Sequence, residues 1–385
     1  MFLDVLEKRN PKLIETAFKL HQEGKILPDT YILDLDAILY NAKLILKEAN
    51  NYGIKLYAMT KQFGRNPIIA KKILELGYSG IVAVDFKEAK LMMKEKIKLG
   101  NVGHLVQTPK ALLKELVEYG SEVMTIYSIE KVKDIDRYAK ESNKIQKIII
   151  RVLDENSEVY SGQMGGVCIS DLNEFIVQMK KCENVKIVGL TVFPCFLYDS
   201  KENEILETKN IIALNKGIEI LKENNIEIEQ INMPSSTSVK NMKKIFELGG
   251  THGEPGHSLT GTTQYNAKNL DGEIPGIVYV SEVSHNLLNK GYCYGGGHYR
   301  RSGMINAYIG ENYKESRRYS LEAPTVESID YYFELSDVAP IGDTVVSSFR
   351  TQIFVTRSDV AVVSGISKGE PQIIGIYDSF GREKI

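Results

Sequence analysis

The chain has 385 residues, 43% of them hydrophobic, with 48 basic against 50 acidic side chains for a formal net charge of −2. That length and composition predict a soluble globular protein of more than one domain. The near-neutral balance leaves no surplus of cations for a nucleic-acid partner, and no apolar run approaches the roughly 20 residues of a membrane-spanning helix. Four scattered cysteines (Cys168, Cys182, Cys195, Cys293) without a CxxC pair, and acidic Asp4 and Glu7 where a secretory signal would be basic, point to the cytoplasm and offer no metal framework.

Along the chain, Asn10 and Pro11 read as the cap and first residue of a helix with an apolar face of Leu13, Ile14, Ala17, Phe18 and His21, stopped by Gly24. It is expected to be an N-terminal helical extension over residues 1–27. Residues 31–35 read as a short strand. Asp36 then starts a helix that carries Ile38, Ala42, Ile45, Leu46 and Ala49 at helical spacing and ends at Gly53. In the next stretch, IKLYAMTKQFGRNP (residues 54–67), the alternation of Ile54, Leu56 and Ala58 predicts a strand. It delivers Lys61 into a glycine-containing turn before Asn66-Pro67 opens a helix. Strand ends of this kind are where α/β sheets and barrels place their chemistry, although a lone lysine there is more often a solvated loop residue.

From that point a rhythm sets in. Strands are expected at residues 56–60, 80–84, 102–107, 122–127, 147–152, 186–192, 229–233 and 251–254, with helical patterns between most of them that stop at Gly77 and Gly120. Eight strands alternating with helices over about two hundred residues fit a (β/α)8 TIM-type barrel, here residues 28–264. A doubly wound sheet is the competing architecture, because local pattern does not show closure. After His257 the periodicity changes to β-branched and aromatic segments separated by Gly, Pro and Asp, which predicts a C-terminal all-β domain over residues 265–385 joined by the strand near Tyr31.

Three further stretches carry candidate chemistry. MPSSTSVKNM (233–242) places Ser235, Ser236, Thr237 and Ser238 between a strand and a helix, as an anion site or a plain helix cap would. GGTHGEPGHSLTG (249–261) surrounds Glu254 and His257 with glycines. These admit close backbone approach to a ligand, or equally a tight connection between domains. NKGYCYGGGHYRRSG (289–303) puts Tyr292 and Cys293 before three successive glycines, which suit either wrapping an anion or an ordinary β turn. Cys293 sits among polar neighbours, whereas the other three cysteines read as core residues.

Taken together, these strings resemble the fold-type III pyridoxal-phosphate (PLP) enzymes: the alanine racemases and the ornithine and diaminopimelate decarboxylases. The segment DTYILDLDAILYNAKLI (29–45) is similar to their entry into the barrel. MTKQFGRNP, LGYSGIVAVD, EPGH, YCYGGG and FRTQIFVTRSDV resemble the YhfX-like branch over essentially the whole length. The resemblance implies that Lys61 forms the Schiff base with PLP and that Ser235, with Ser236 beside it, holds the phosphate. Gly256 with His257 forms the second phosphate turn, Phe193 stacks near the ring, and Tyr377 caps the phosphate. It places Glu254 at the pyridine nitrogen, as in the decarboxylases, where the racemases carry arginine. A carboxylate there keeps the ring protonated and a full electron sink.

Two departures stand out. The loop after the fifth strand, NSEVYSGQMGGV, has Gln163 and Met164 where racemases carry an arginine. After the sixth strand TVFPC offers Phe193 in place of the family's histidine. The resemblance implies Tyr292 as the second acid/base, supplied by the other subunit of a homodimer, with Cys293 as the alternative. The expected activity is therefore PLP-dependent chemistry at Cα of an amino acid. A racemase or epimerase leads. An amino-acid decarboxylase, a non-catalytic PLP-binding protein and a phosphosugar-binding barrel without PLP are the alternatives.

Overall fold

The computed structural model describes residues 1–384. The chain forms two compact units, residues 45–60 with 70–255, and residues 1–44 with 61–69 and 256–385.

The first unit is a closed parallel barrel. Its strands, in chain order, are Lys55–Met59, Gly80–Ala83, Leu99–Val102, Val123–Ile126, Gln146–Leu153, Val185–Thr191, Gln230–Asn232 and His252–Gly253. Each pairs in parallel with its neighbours. The last pairs back onto the first, His252 opposite Lys55, so the sheet closes and the doubly wound alternative falls away. Buried on both faces, these strands are nearly continuous apolar runs, and Tyr57, Met59, Val82, Val84, Val123, Ile149 and Val188 pack together in the core. Helices such as Lys110–Tyr119 and Ile129–Glu141 connect them. The former ends at Gly120 in the left-handed region (φ 91°), and the Ser128 hydroxyl caps the latter through the Lys131 N–H.

The third strand lies three residues earlier than the pattern predicts, at Leu99–Val102 instead of 102–107. The cause is Gly100, which reads as a break. The Tyr57 ring occupies the place a Cβ at Gly100 would take, so glycine is the price of fitting that ring inside the barrel. Gly103 (φ 90°) then turns the chain, and His104 falls past the strand end instead of inside the strand.

The second unit is built on a nine-stranded sheet. Thr30–Asp34 runs in its middle, antiparallel to Ile277–Leu287 on one side and parallel to Asp359–Ser364 on the other. Helices Phe2–Arg9 and Pro11–Gln22 do not stand apart as an extension. Leu3, Leu6, Leu13, Ile14, Ala17 and Phe18 pack on Ile32, Val278, Val280, Val346, Ala361 and Val363 of the sheet. Asn10 is the N-cap residue, with Pro11 at the first helical position as expected, but its side chain makes no capping bond. Its amide donates to Asp34 Oδ2 (2.9 Å) and to the Pro275 carbonyl (3.0 Å), tying the turn between the helices to the sheet.

The three glycines at 295–297 serve packing. The Asp330 carbonyl, the Asp29 carboxylate and the Tyr279 ring fill the space where their Cβ atoms would be, so protein groups, and not a wrapped anion, explain the run. No helix among the described residues is long and apolar enough to cross a membrane.

Because Phe18 is sealed between helix and sheet, Phe18→Ala is expected to cost about 3–5 kcal/mol and to lower the midpoint of chemical denaturation. An unchanged midpoint would show that the N-terminal helices are dispensable to the sheet.

Candidate active site

In the barrel unit, the polar side chains gather at the carboxyl ends of the strands. Glu254 follows the eighth strand and is only 4% exposed. Its Oε1 accepts from Asn101 Nδ2 (2.9 Å) on the third strand and from Asn232 Nδ2 (2.6 Å) on the seventh, and its own N–H donates to Thr237 Oγ1 (3.1 Å). Thr125 Oγ1 donates to Asn101 Oδ1 (2.8 Å), which fixes that amide with its N–H toward the glutamate. Two amide donors on one carboxylate oxygen favour the ionised form. Asn232 Oδ1, buried, has no partner.

Sequence reasoning missed two residues here. His104, fully buried, places Nε2 3.9 Å from Glu254 Oε2 and meets the Phe193 ring edge-on (5.4 Å between centroids, 88°). Arg151, 1% exposed, sits on the fifth strand itself. It donates to Tyr127 Oη (2.8 Å) and to the Gln163 carbonyl (3.0 Å), with its guanidinium 6.0 Å from the Phe193 centroid. The loops after the sixth and fifth strands lack the expected histidine and arginine, whereas His104 follows the third strand and Arg151 stands on the fifth. A lone arginine in the apolar run KIIIRVL was the available signal, since a buried charge must be paired. His104 was hidden by the misplaced third strand.

Ser235 and Ser236 both have positive φ (80° and 48°), a strained conformation for non-glycine residues. The Ser235 hydroxyl is engaged at both ends, accepting from the Phe196 N–H and donating to the Phe196 carbonyl (2.9 Å each). That bond seats the hairpin formed by Phe196–Asp199 and Glu204–Glu207. Nearby Cys195 is fully buried, and desolvation, helped by the Glu254 charge, pushes its thiol far up.

In the other unit, Lys61 opens the turn Lys61–Phe63, two residues after the first barrel strand in the chain, and is 8% exposed. The turn is held by close packing: a Cβ at Gly64 (φ 67°) would lie 3.0 Å from Ile353 Cγ2, and the Arg65 guanidinium lies 5.0 Å over the Phe354 ring. Asn66 Oδ1 caps the following helix by accepting from the Ile69 N–H (3.1 Å). Gly256 abuts the same turn, since a Cβ there would be 2.7 Å from the Gln62 side chain.

His257 Nδ1 contacts Thr262 Oγ1 (3.3 Å), and its buried Nε2 has no partner. Burial, followed by the positive charges of Arg350, Lys61 and Arg301, holds this imidazole well below its usual pKa, so it is neutral.

Tyr292 is half-buried on the strand Lys290–Tyr294. It stacks on His285 (4.8 Å, 9°) with its hydroxyl 3.4 Å from Glu334 Oε2. Cys293 alternates to the opposite face and is fully buried, and burial pushes its thiol to about 12. It belongs to the core, and Cys168, read as a core residue, is instead exposed. Tyr377 is buried on the last strand, Gln372–Tyr377, with its ring over Gly375.

Comparison with known proteins agrees with this layout. Residues 33–264 match the alanine racemase N-terminal domain family, and residues 278–373 the YhfX-like C-terminal domain. The chain is 42% identical over 383 residues to the uncharacterized protein YhfX of Escherichia coli K12, covering 99% of both chains. Its fold is similar to that of D-threonine aldolase from Filomicrobium marinum (TM-score 0.66, 14% identity, 92% of this chain and 95% of that one). It is also similar to diaminopimelate decarboxylase from M. jannaschii (TM-score 0.63, 16% identity, 96% and 92%). At such identities the likeness is one of fold. The chain belongs to the alanine racemase N-terminal domain family, joining that domain to the C-terminal domain of the YhfX-like branch.

Proposed function

We propose that this chain is a PLP-dependent enzyme acting at the α-carbon of an amino acid, as a racemase or epimerase. The observation that carries this reading is Glu254: a buried carboxylate, fixed as an acceptor at a barrel strand end, beside the strand that leads into the buried amine Lys61. A carboxylate held as an acceptor at a strand end is suited to face a protonated pyridine nitrogen.

The residues present fit the cofactor. Lys61 would hold its aldehyde carbon, Glu254 its ring nitrogen, and Phe193 its ring. The turns at Ser235, Ser236, Gly256 and His257 would hold the phosphate. His257 Nε2, buried and unpartnered, is a polar atom that a phosphate oxygen would satisfy. The Ser235 hydroxyl already bonds Phe196, so in this reading that turn contributes mainly backbone N–H groups. Tyr377 is the remaining candidate for the phosphate. When bound, PLP supplies an electron sink for the substrate's α-carbon.

The chain's own groups then divide the labour. Glu254, held as an acceptor by Asn101 and Asn232, would favour a proton at the ring nitrogen. Lys61 takes a proton from one face of the α-carbon. Tyr292, contributed by a second copy of the chain in a homodimer, serves the other face, its hydroxyl oriented by Glu334. Cys293 drops out, since a thiol near 12 facing the core neither gives nor takes protons readily at neutral pH. Decarboxylation is the second reading, favoured by Glu254 and by the decarboxylase among the structural neighbours. A non-catalytic carrier would leave Tyr292 without a task.

Incubating the PLP-loaded protein with L- and D-amino acids in heavy water is expected to give deuterium at Cα without carbon dioxide. Carbon dioxide release would move the assignment to a decarboxylase, and neither product to a carrier. Tyr292→Phe is expected to lower exchange by roughly 10²–10⁴-fold while the visible absorbance of the bound cofactor persists. Glu254→Gln, which keeps the shape and removes the charge, is expected to cost at least about 10²-fold in exchange. Unchanged exchange would remove Glu254 from the chemistry.

A further inference from the structure

A second buried carboxylate, which the account above leaves unused, is bonded to the residue that precedes Lys61 in the chain. Glu88, in the first turn of helix Phe86–Lys94, is fully buried. Its Oε2 accepts from the Val84 N–H (2.7 Å), and its Oε1 accepts from the hydroxyl of Thr60, itself fully buried.

Helix capping explains part of this arrangement. Asp85 is the N-cap and accepts from the Glu88 N–H (2.8 Å), and a glutamate at that third position ordinarily reaches back to the backbone at the helix start. The Val84 bond is of that kind. Capping does not account for the Thr60 bond. Thr60 is the residue immediately before Lys61, and consecutive α-carbons are only about 3.8 Å apart. A capping glutamate on a solvated helix end would also be exposed, whereas this one forgoes water entirely, and a buried carboxylate is retained only where charge or orientation compensates the desolvation.

We propose that Glu88 is a positioning residue for Lys61: by clamping the Thr60 hydroxyl it fixes the strand end from which the lysine leaves. The inference rests on Lys61 being the reactive group, but its test needs no cofactor. The PLP-free protein is treated at neutral pH with a limiting amount of an amine-acylating reagent, and the modification rate of Lys61 is read by peptide mapping against the surface lysines as internal standards.

Glu88→Gln keeps an acceptor for Val84 and Thr60 but removes the charge. A neutral acceptor holds the Thr60 hydroxyl more weakly than a carboxylate does, so the Lys61 acylation rate should change several-fold without changing the other lysines. Thr60→Val should alter the Lys61 rate by several-fold, and Thr60→Ser should restore it; a merely structural role would not single out this lysine or be rescued by a hydroxyl. If Glu88→Gln fails to fold, the Thr60 pair decides alone. Parent-like Lys61 rates in folded Glu88→Gln and Thr60→Val overturn the proposal. Failure of PLP to join Lys61 in the parent protein, by contrast, counts against the cofactor reading and leaves the acylation result standing.

Discussion

The barrel is organised around one buried carboxylate, Glu254, at the carboxyl ends of its strands. Burying a charge costs on the order of several kcal/mol even after relaxation, and Glu254 recovers part of that from Asn101 and Asn232, on the third and seventh strands. Those amides are themselves buried and oriented, Asn101 by Thr125. The barrel therefore does more than display loops. Three strand ends and the residue after a fourth form one hydrogen-bonded set that keeps Glu254 an acceptor. The hydrophobic closure of the sheet makes this possible, because only a closed parallel barrel brings the third and seventh strands to face one residue after the eighth.

The second unit shows the same economy. The strand Thr30–Asp34 enters the sheet from the opposite end of the sequence to its neighbours, and the N-terminal helices seal the face it helps form. Glycines that look like ligand loops, Gly256 and Gly295 to Gly297, are occupied by Gln62, Asp330, Asp29 and Tyr279. Close approach between protein segments, as much as ligand access, accounts for them. Tyr292 and Cys293 show how a strand divides roles by alternation. One side chain reaches a half-buried position beside His285 and Glu334, and the next is buried in the core.

Much of the architecture was legible because hydrophobic periodicity and turn residues record burial directly. The eight barrel strands, the helix at Pro11 and the stops at Gly77 and Gly120 are all of this kind. The third strand was displaced because Gly100 owes its identity to the Tyr57 ring, a long-range contact with no local trace. With it went His104. Arg151 was visible as a charge inside an apolar strand, but its partners, Tyr127 and the Gln163 carbonyl, lie on other segments. The Ser235 hydroxyl was a natural phosphate ligand in the sequence; its bonds to Phe196 arise from a hairpin that local pattern does not register. Chemistry set by neighbours in space is the part a linear reading recovers least.

The central claim is that the buried amine at the end of the first barrel strand carries the cofactor. Incubating the protein with PLP, reducing it with borohydride and mapping the peptides tests this most directly. The account predicts one pyridoxyl label, on Lys61. A label confined to other lysines, or no label at all, would contradict it.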